Sequence, residues 1–84
     1  MLYRAGNYEG AFGKFEAAFK TDPQPPLLYN MARVRERQAK YGDAIKLLER
    51  YIATHKEQNG GKAPDNQKDV EALISALKAR AYKA

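Results

Sequence analysis

Between Tyr8 and Lys20 the apolar residues Tyr8, Ala11, Phe12, Phe15, Ala18 and Phe19 recur every three or four positions, which is one stripe of an amphipathic α-helix. Thr21-Asp22-Pro23-Gln24-Pro25-Pro26 ends it, because proline lacks an amide donor and disfavours helical backbone in the residue before it. Pro26 is placed to open a second helix, since proline is tolerated in the first turn. Over Leu27 to Lys40, Leu27, Leu28, Met31, Ala32, Val34 and Ala39 share one arc, and Tyr29, Asn30, Arg33, Glu36, Arg37 and Lys40 share the other. A third helix follows Lys40-Tyr41-Gly42-Asp43 to about His55, with a stripe of Tyr41, Ala44, Ile45, Leu48, Tyr51 and Ile52. Lys56 to Gln67 is rich in turn formers and charge and predicts an exposed loop. Asn66, with Asp69 three residues on, is placed to cap a last helix. The stripe of that helix is Val70, Leu73, Ile74, Leu77 and Ala81, and Lys78, Arg80 and Lys83 sit towards the negative end of its dipole.

Two of these helices repeat each other 33 residues apart. Tyr8, Ala11, Phe15 and Glu16 recur as Tyr41, Ala44, Leu48 and Glu49, and Phe12 and Phe19 recur as Ile45 and Ile52. A period of this length marks stacked helical pairs, each unable to bury its apolar face alone. The predicted fold is all-α, an α-solenoid of antiparallel helix pairs with about four helices.

The residues that carry the period resemble the tetratricopeptide repeat family. Gly6-Asn7-Tyr8-Glu9-Gly10-Ala11, Phe15, Ala18 and Asp22-Pro23 look like the second half of one repeat, with the family's Gly-x-Tyr-x-x-Ala turn and closing Asp-Pro. Tyr29-Asn30-Met31-Ala32, Lys40-Tyr41-Gly42-Asp43-Ala44-Ile45 and Leu48 resemble a nearly whole second repeat. The resemblance covers residues 1 to about 55. It implies one domain over 1–84: a truncated first repeat (1–24), a second repeat (25–56), a loop (57–65) and a capping helix (66–83). Ala11 and Ala44 then sit where paired helices cross closely, Tyr8 and Tyr41 fill the corner beside the turn, and Phe15 and Leu48 fill the core between repeats.

The sequence departs from that pattern in places. Gly6 is matched by Ala39, and the small Ala18 by the large Tyr51. Arg35 falls inside an apolar arc, where its stem is expected to pack while its head reaches solvent or a carboxylate. Only Met1 to Ala5 remain of the first helix of the first repeat. The stripe of Tyr8, Phe12 and Phe19 thus lacks its expected cover, which predicts homo-oligomerisation or domain exchange through those residues unless the chain belongs to a longer array.

Composition narrows the classes. With 44% apolar and 30% charged residues, the chain reads as globular rather than disordered. A domain this small buries about 60–65% of its unfolded surface, so the core is thin. No apolar run approaches the roughly 20 residues of a membrane-spanning helix. The first six residues lack the apolar core and cleavage site of a secretory signal, which implies a cytosolic chain, or a mature or excised piece of a longer one. The absence of cysteine excludes disulfides and thiolate sites without fixing a compartment. The lone His55 and Ser75 have no context for catalysis or metal binding, and neither an enzyme nor a cofactor is expected. His55 reads as a dipole partner at its helix end. Gly60-Gly61-Lys62 lacks the full phosphate-loop pattern and does not follow a strand.

A net charge of +5 favours acidic partners. In tetratricopeptide repeats the first helix of each pair lines a concave groove. The resemblance therefore implies a non-catalytic protein–protein interaction scaffold whose partner-binding face carries Tyr29, Asn30, Arg33, Arg37 and Lys40. Arg33, Arg37 and Lys40 stand at i, i+4 and i+7, and arginine's planar fork takes a carboxylate with two parallel hydrogen bonds. The expected ligand is an acidic or carboxylate-bearing peptide or partner protein. Asn30 matches a position that binds a peptide carboxylate in co-chaperone members of the family, although the rest of that clamp lies in repeats this chain does not contain. The alternative is a nucleic-acid-binding helical module using the same stripe with Lys46, Lys62, Lys78 and Lys83.

Overall fold

The computed structural model describes residues 7–83. Four helices follow in order: α1 (Tyr8–Thr21), α2 (Pro25–Arg37), α3 (Tyr41–Gln58) and α4 (Gln67–Lys83). The fold is all-α, as expected, and the four helices fit a tetratricopeptide-like module. The expected roles of Met1–Ala5 and Gly6, and the side chain of Lys83, lie outside the described residues.

Each helix packs on its neighbour in the chain, with α2 between α1 and α3 and with α4 against α3. The core gathers Leu28, Met31 and Ala32 of α2, Ala44, Leu48 and Tyr51 of α3, and Val70, Ile74 and Leu77 of α4. Ala11 and Ala44 are buried, small enough to let backbones approach. Phe12, Phe15 and Phe19 of α1 pack against the cluster from its edge and remain half-buried. Three alanines assigned to apolar stripes are instead exposed: Ala18, Ala39 and Ala81. Ala18 faces a side of α1 that no other described helix covers, and Ala81 lies in the last turns of α4, beyond the buried stretch that ends at Leu77.

The chain breaks follow local chemistry. Asp22 leaves α1 with extended backbone (φ −144°, ψ 96°) ahead of Pro23, and Pro25 opens α2. The far end of α2 differs from the expectation. The helix stops at Arg37 rather than continuing to Lys40, because Ala39 turns into the left-handed region (φ 60°). Ala39 N–H then donates to Glu36 C=O (2.9 Å) and Lys40 N–H to Arg35 C=O (2.9 Å), the paired bonds of a Schellman C-cap. At the end of α3, Gly60 takes the same backbone position (φ 64°), and Gly61 N–H donates to Lys56 C=O at 2.7 Å. One cap has the glycine this geometry favours, and the other has alanine.

The segment between α3 and α4 is anchored. His55 Nδ1 donates to the Lys62 carbonyl (3.0 Å), Tyr51 Oη donates to Asn66 Oδ1 (2.9 Å), and Pro64 is buried. Asn66 thus spends its side-chain oxygen on Tyr51, and His55, although in the last turn of α3, also holds the loop. Tyr51 occupies a place where a small residue was expected. Its ring lies 5.8 Å from Tyr29, tilted by 59°, so one large side chain links α2, α3 and the loop.

Candidate interaction surface

The polar side of α2 carries most of the predicted partner-binding residues, and the structure divides them. Tyr29 and Arg33, one turn apart, are half-buried. Arg33 Nη1 donates to Tyr29 Oη at 3.3 Å, and its guanidinium carbon lies 5.9 Å from the ring centroid. Arg33 Nε lies 3.0 Å from Glu36 Oε1, an ion-pair distance without hydrogen-bond alignment. From α4, Arg80 Nη1 comes within 3.9 Å of Glu36 Oε2, and its guanidinium sits 5.9 Å from the Tyr41 ring centroid. The face therefore extends from α2 to α4 around one carboxylate. Asn30 is half-buried, and Arg37 is exposed on the same helix; both are engaged within the chain.

Lys40 does not belong to this group. The turn at Ala39 removes it from the helical register, and its Nζ lies 3.5 Å from Glu9 Oε2 at the start of α1. Two further donors meet that oxygen, Arg35 Nη1 at 2.7 Å and Gln38 Nε2 at 2.7 Å. The hydrogen bond from Gln38 and then that from Arg35, with the positive charges of Arg35 and Lys40, hold the Glu9 carboxyl below the ordinary glutamate range. The carboxylate also lies in the first turn of α1, where the helix dipole favours negative charge. Arg35 resolves its place in an apolar arc here: its guanidinium stacks 3.6 Å from the Phe12 ring centroid while its edge pairs with Glu9.

The stripe expected to drive self-association is covered in part within one chain. Arg35 lies over Phe12, and Arg50 lies 5.3 Å from the centroid of Phe19. Tyr8 is half-buried and engaged. Among the described residues the exposed large hydrophobic side chain is Tyr82. Arg35 and Arg50 were not assigned this role from the sequence, although both stand on helices whose apolar arcs face α1. The contribution of Arg80 was equally hidden, because it depends on where α4 docks.

Lys46, Lys62 and Lys78 are exposed but spread over α3, the loop and α4. Among the described residues no cluster of His, Cys, Asp or Glu is arranged to hold a metal ion, and no helix is long and apolar enough to cross a membrane.

Four helices, each packed on its neighbour in the chain, with charged side chains meeting between α2 and α4, fit a helical-repeat module. Comparison with known proteins gives it relatives. Over 82 residues, 92% of this chain, it is 38% identical to human intraflagellar transport protein 70B and 36% identical to human intraflagellar transport protein 70A. Mouse intraflagellar transport protein 70B is 38% identical over 66 residues, 73% of the chain. The chain spans 12% of the length of the human relatives and 10% of the mouse one. No family model matches the chain, and no solved structure does.

Proposed function

We propose that this chain is a non-catalytic protein-interaction module of the tetratricopeptide type, serving a larger assembly concerned with intraflagellar transport, as the names of its relatives suggest. Its binding face is the one shared by α2 and α4, and its ligand is an acidic or carboxylate-bearing segment of a partner protein. The observation that carries this reading is the convergence of Arg33 and Arg80 on Glu36, with Arg33 also against Tyr29; Arg37 is exposed one turn further along α2. A partner carboxylate can take guanidinium donors there while Tyr29 supplies an aromatic wall. Lys40 stands apart and supports α1 instead.

The test is a pull-down with the purified chain, repeated with Arg33→Glu/Arg37→Glu, both sites lying on the polar side of α2. Loss of one acidic partner is the expected outcome, and an unchanged partner list rejects the face. Nucleic-acid binding by the basic surface would show as association that falls steeply and uniformly with salt, whatever the sequence of the probe.

A further inference from the structure

A second surface lies away from the α2–α4 face. α1 and α3 both pack on α2, and where α1 and α3 face each other opens a depression of about 280 Å³ lined by Phe12, Arg35, Asp43, Lys46, Leu47 and Arg50. Its apolar floor comes from Phe12 and Leu47, both half-buried. Its charges are unevenly matched. Arg35 is paired with Glu9 at 2.7 Å and Asp43 contributes one carboxylate to the lining, so Lys46 and Arg50, both exposed and in no ion pair among the described residues, leave the groove with an excess of positive charge. Arg50 lies within cation–π range of Phe19, its guanidinium carbon 5.3 Å from the ring centroid. Lys46 and Arg50 are one helical turn apart on the same wall.

We infer that this groove docks an acidic amphipathic segment of a partner protein, seating one apolar side chain on Phe12 and Leu47 and flanking carboxylates on Lys46 and Arg50. The depression lies open on the surface, between two helices, and has room for one or two anchoring side chains of a docked segment. The two unmatched cations set the sign of the partner, and the apolar floor requires an anchor as well as charge. With the α2–α4 face, the module then offers two separate surfaces and bridges two partners.

The test uses a short fluorescein-labelled peptide with glutamates and leucines at helical spacing, read by fluorescence anisotropy. Lys46→Glu/Arg50→Glu changes exposed side chains only, and circular dichroism verifies that helix content is kept. The expected result is binding weakened at least about tenfold by this pair, and weakened similarly by replacing the leucines of the peptide with alanine. Lys62→Glu/Lys68→Glu, at exposed side chains outside both surfaces, alters net charge equally and should leave this peptide's affinity unchanged, which separates the groove from the net charge of the chain. The inference is overturned if both charge-reversed pairs weaken binding equally, if the leucine-free peptide binds as well, or if sedimentation shows a second copy of the chain occupying the groove in place of the peptide.

Discussion

Replacing Ala39 with glycine isolates the backbone conformation that ends α2. Ala39 adopts φ 60°, its side chain is exposed, and its N–H and that of Lys40 close the cap on Glu36 and Arg35. A left-handed conformation costs an L-residue roughly 1–2 kcal/mol. Glycine removes that cost but loses about 0.5–1 kcal/mol more conformational entropy on folding. The methyl group makes no buried contact to forfeit, so the net gain for Ala39→Gly is centred on about 0.75 kcal/mol, within a span of about 0–1.5 kcal/mol. For a domain of this size each kcal/mol moves Tm by about 4–8 °C, so the central value corresponds to a rise of roughly 3–6 °C. The cap at the end of α3 supplies the mirror experiment. Gly60 has φ 64°, and a Cβ built there meets nothing within 4 Å, so Gly60→Ala introduces the conformational cost without a clash and should lower Tm by a similar amount. Thermal and urea unfolding followed by circular dichroism at the helical band read both variants. If Ala39→Gly leaves Tm unchanged or lowers it while the urea m-value is constant, the attribution of strain to Ala39 is wrong.

Two further outcomes follow from contacts between helices. Because Gln38 and Arg35 depress the folded-state pKa of Glu9, the stability from this carboxylate is present above the unfolded glutamate value, about 4.3, and is lost as pH falls through the lower folded value. Wild type should exceed Glu9→Gln in urea midpoint at neutral pH and converge with it in acid; a constant difference at all pH values would reject the ionic contribution. Tyr51→Phe removes the hydroxyl that donates to Asn66 and should cost about 0.5–1.5 kcal/mol. Faster amide exchange in residues 59–66 should accompany it, and unaltered protection there would show that the hydrogen bond does not hold the loop.

How far the sequence discloses this molecule depends on how local the cause is. The stripes of α1 and α3 are legible because burial repeats at helical spacing, and the proline-rich link marks the start of α2 without any tertiary information. The end of α2 is not legible, since Gln38-Ala39-Lys40 contains no glycine or proline and the apolar arc continues through Ala39. That single turn detaches Lys40 from the Arg33–Arg37 stripe and redirects it to Glu9. Arg35 is legible as a side chain needing both packing and a charge partner, yet the partner's identity requires the α1–α2 docking. The same holds for Arg80, whose approach to Glu36 arises only when α4 lies on α3. Alanine is the least informative residue in the patterns. It is mildly apolar and a strong helix former, so its presence on a stripe at positions 18, 39 and 81 does not imply burial.

The connection from α3 to α4 is fastened at three points along its length: the backbone of Gly61, the carbonyl of Lys62 and the side chain of Asn66. It therefore behaves as a rigid spacer rather than a tether, and α4 is carried by α3 as one body. The distance between Arg80 and the arginines of α2 is consequently set before any partner arrives. Under the proposed function such a preset jaw would lose little freedom on closing around a ligand, and a residue inserted into the spacer would reset its gape without touching a single side chain of the proposed face.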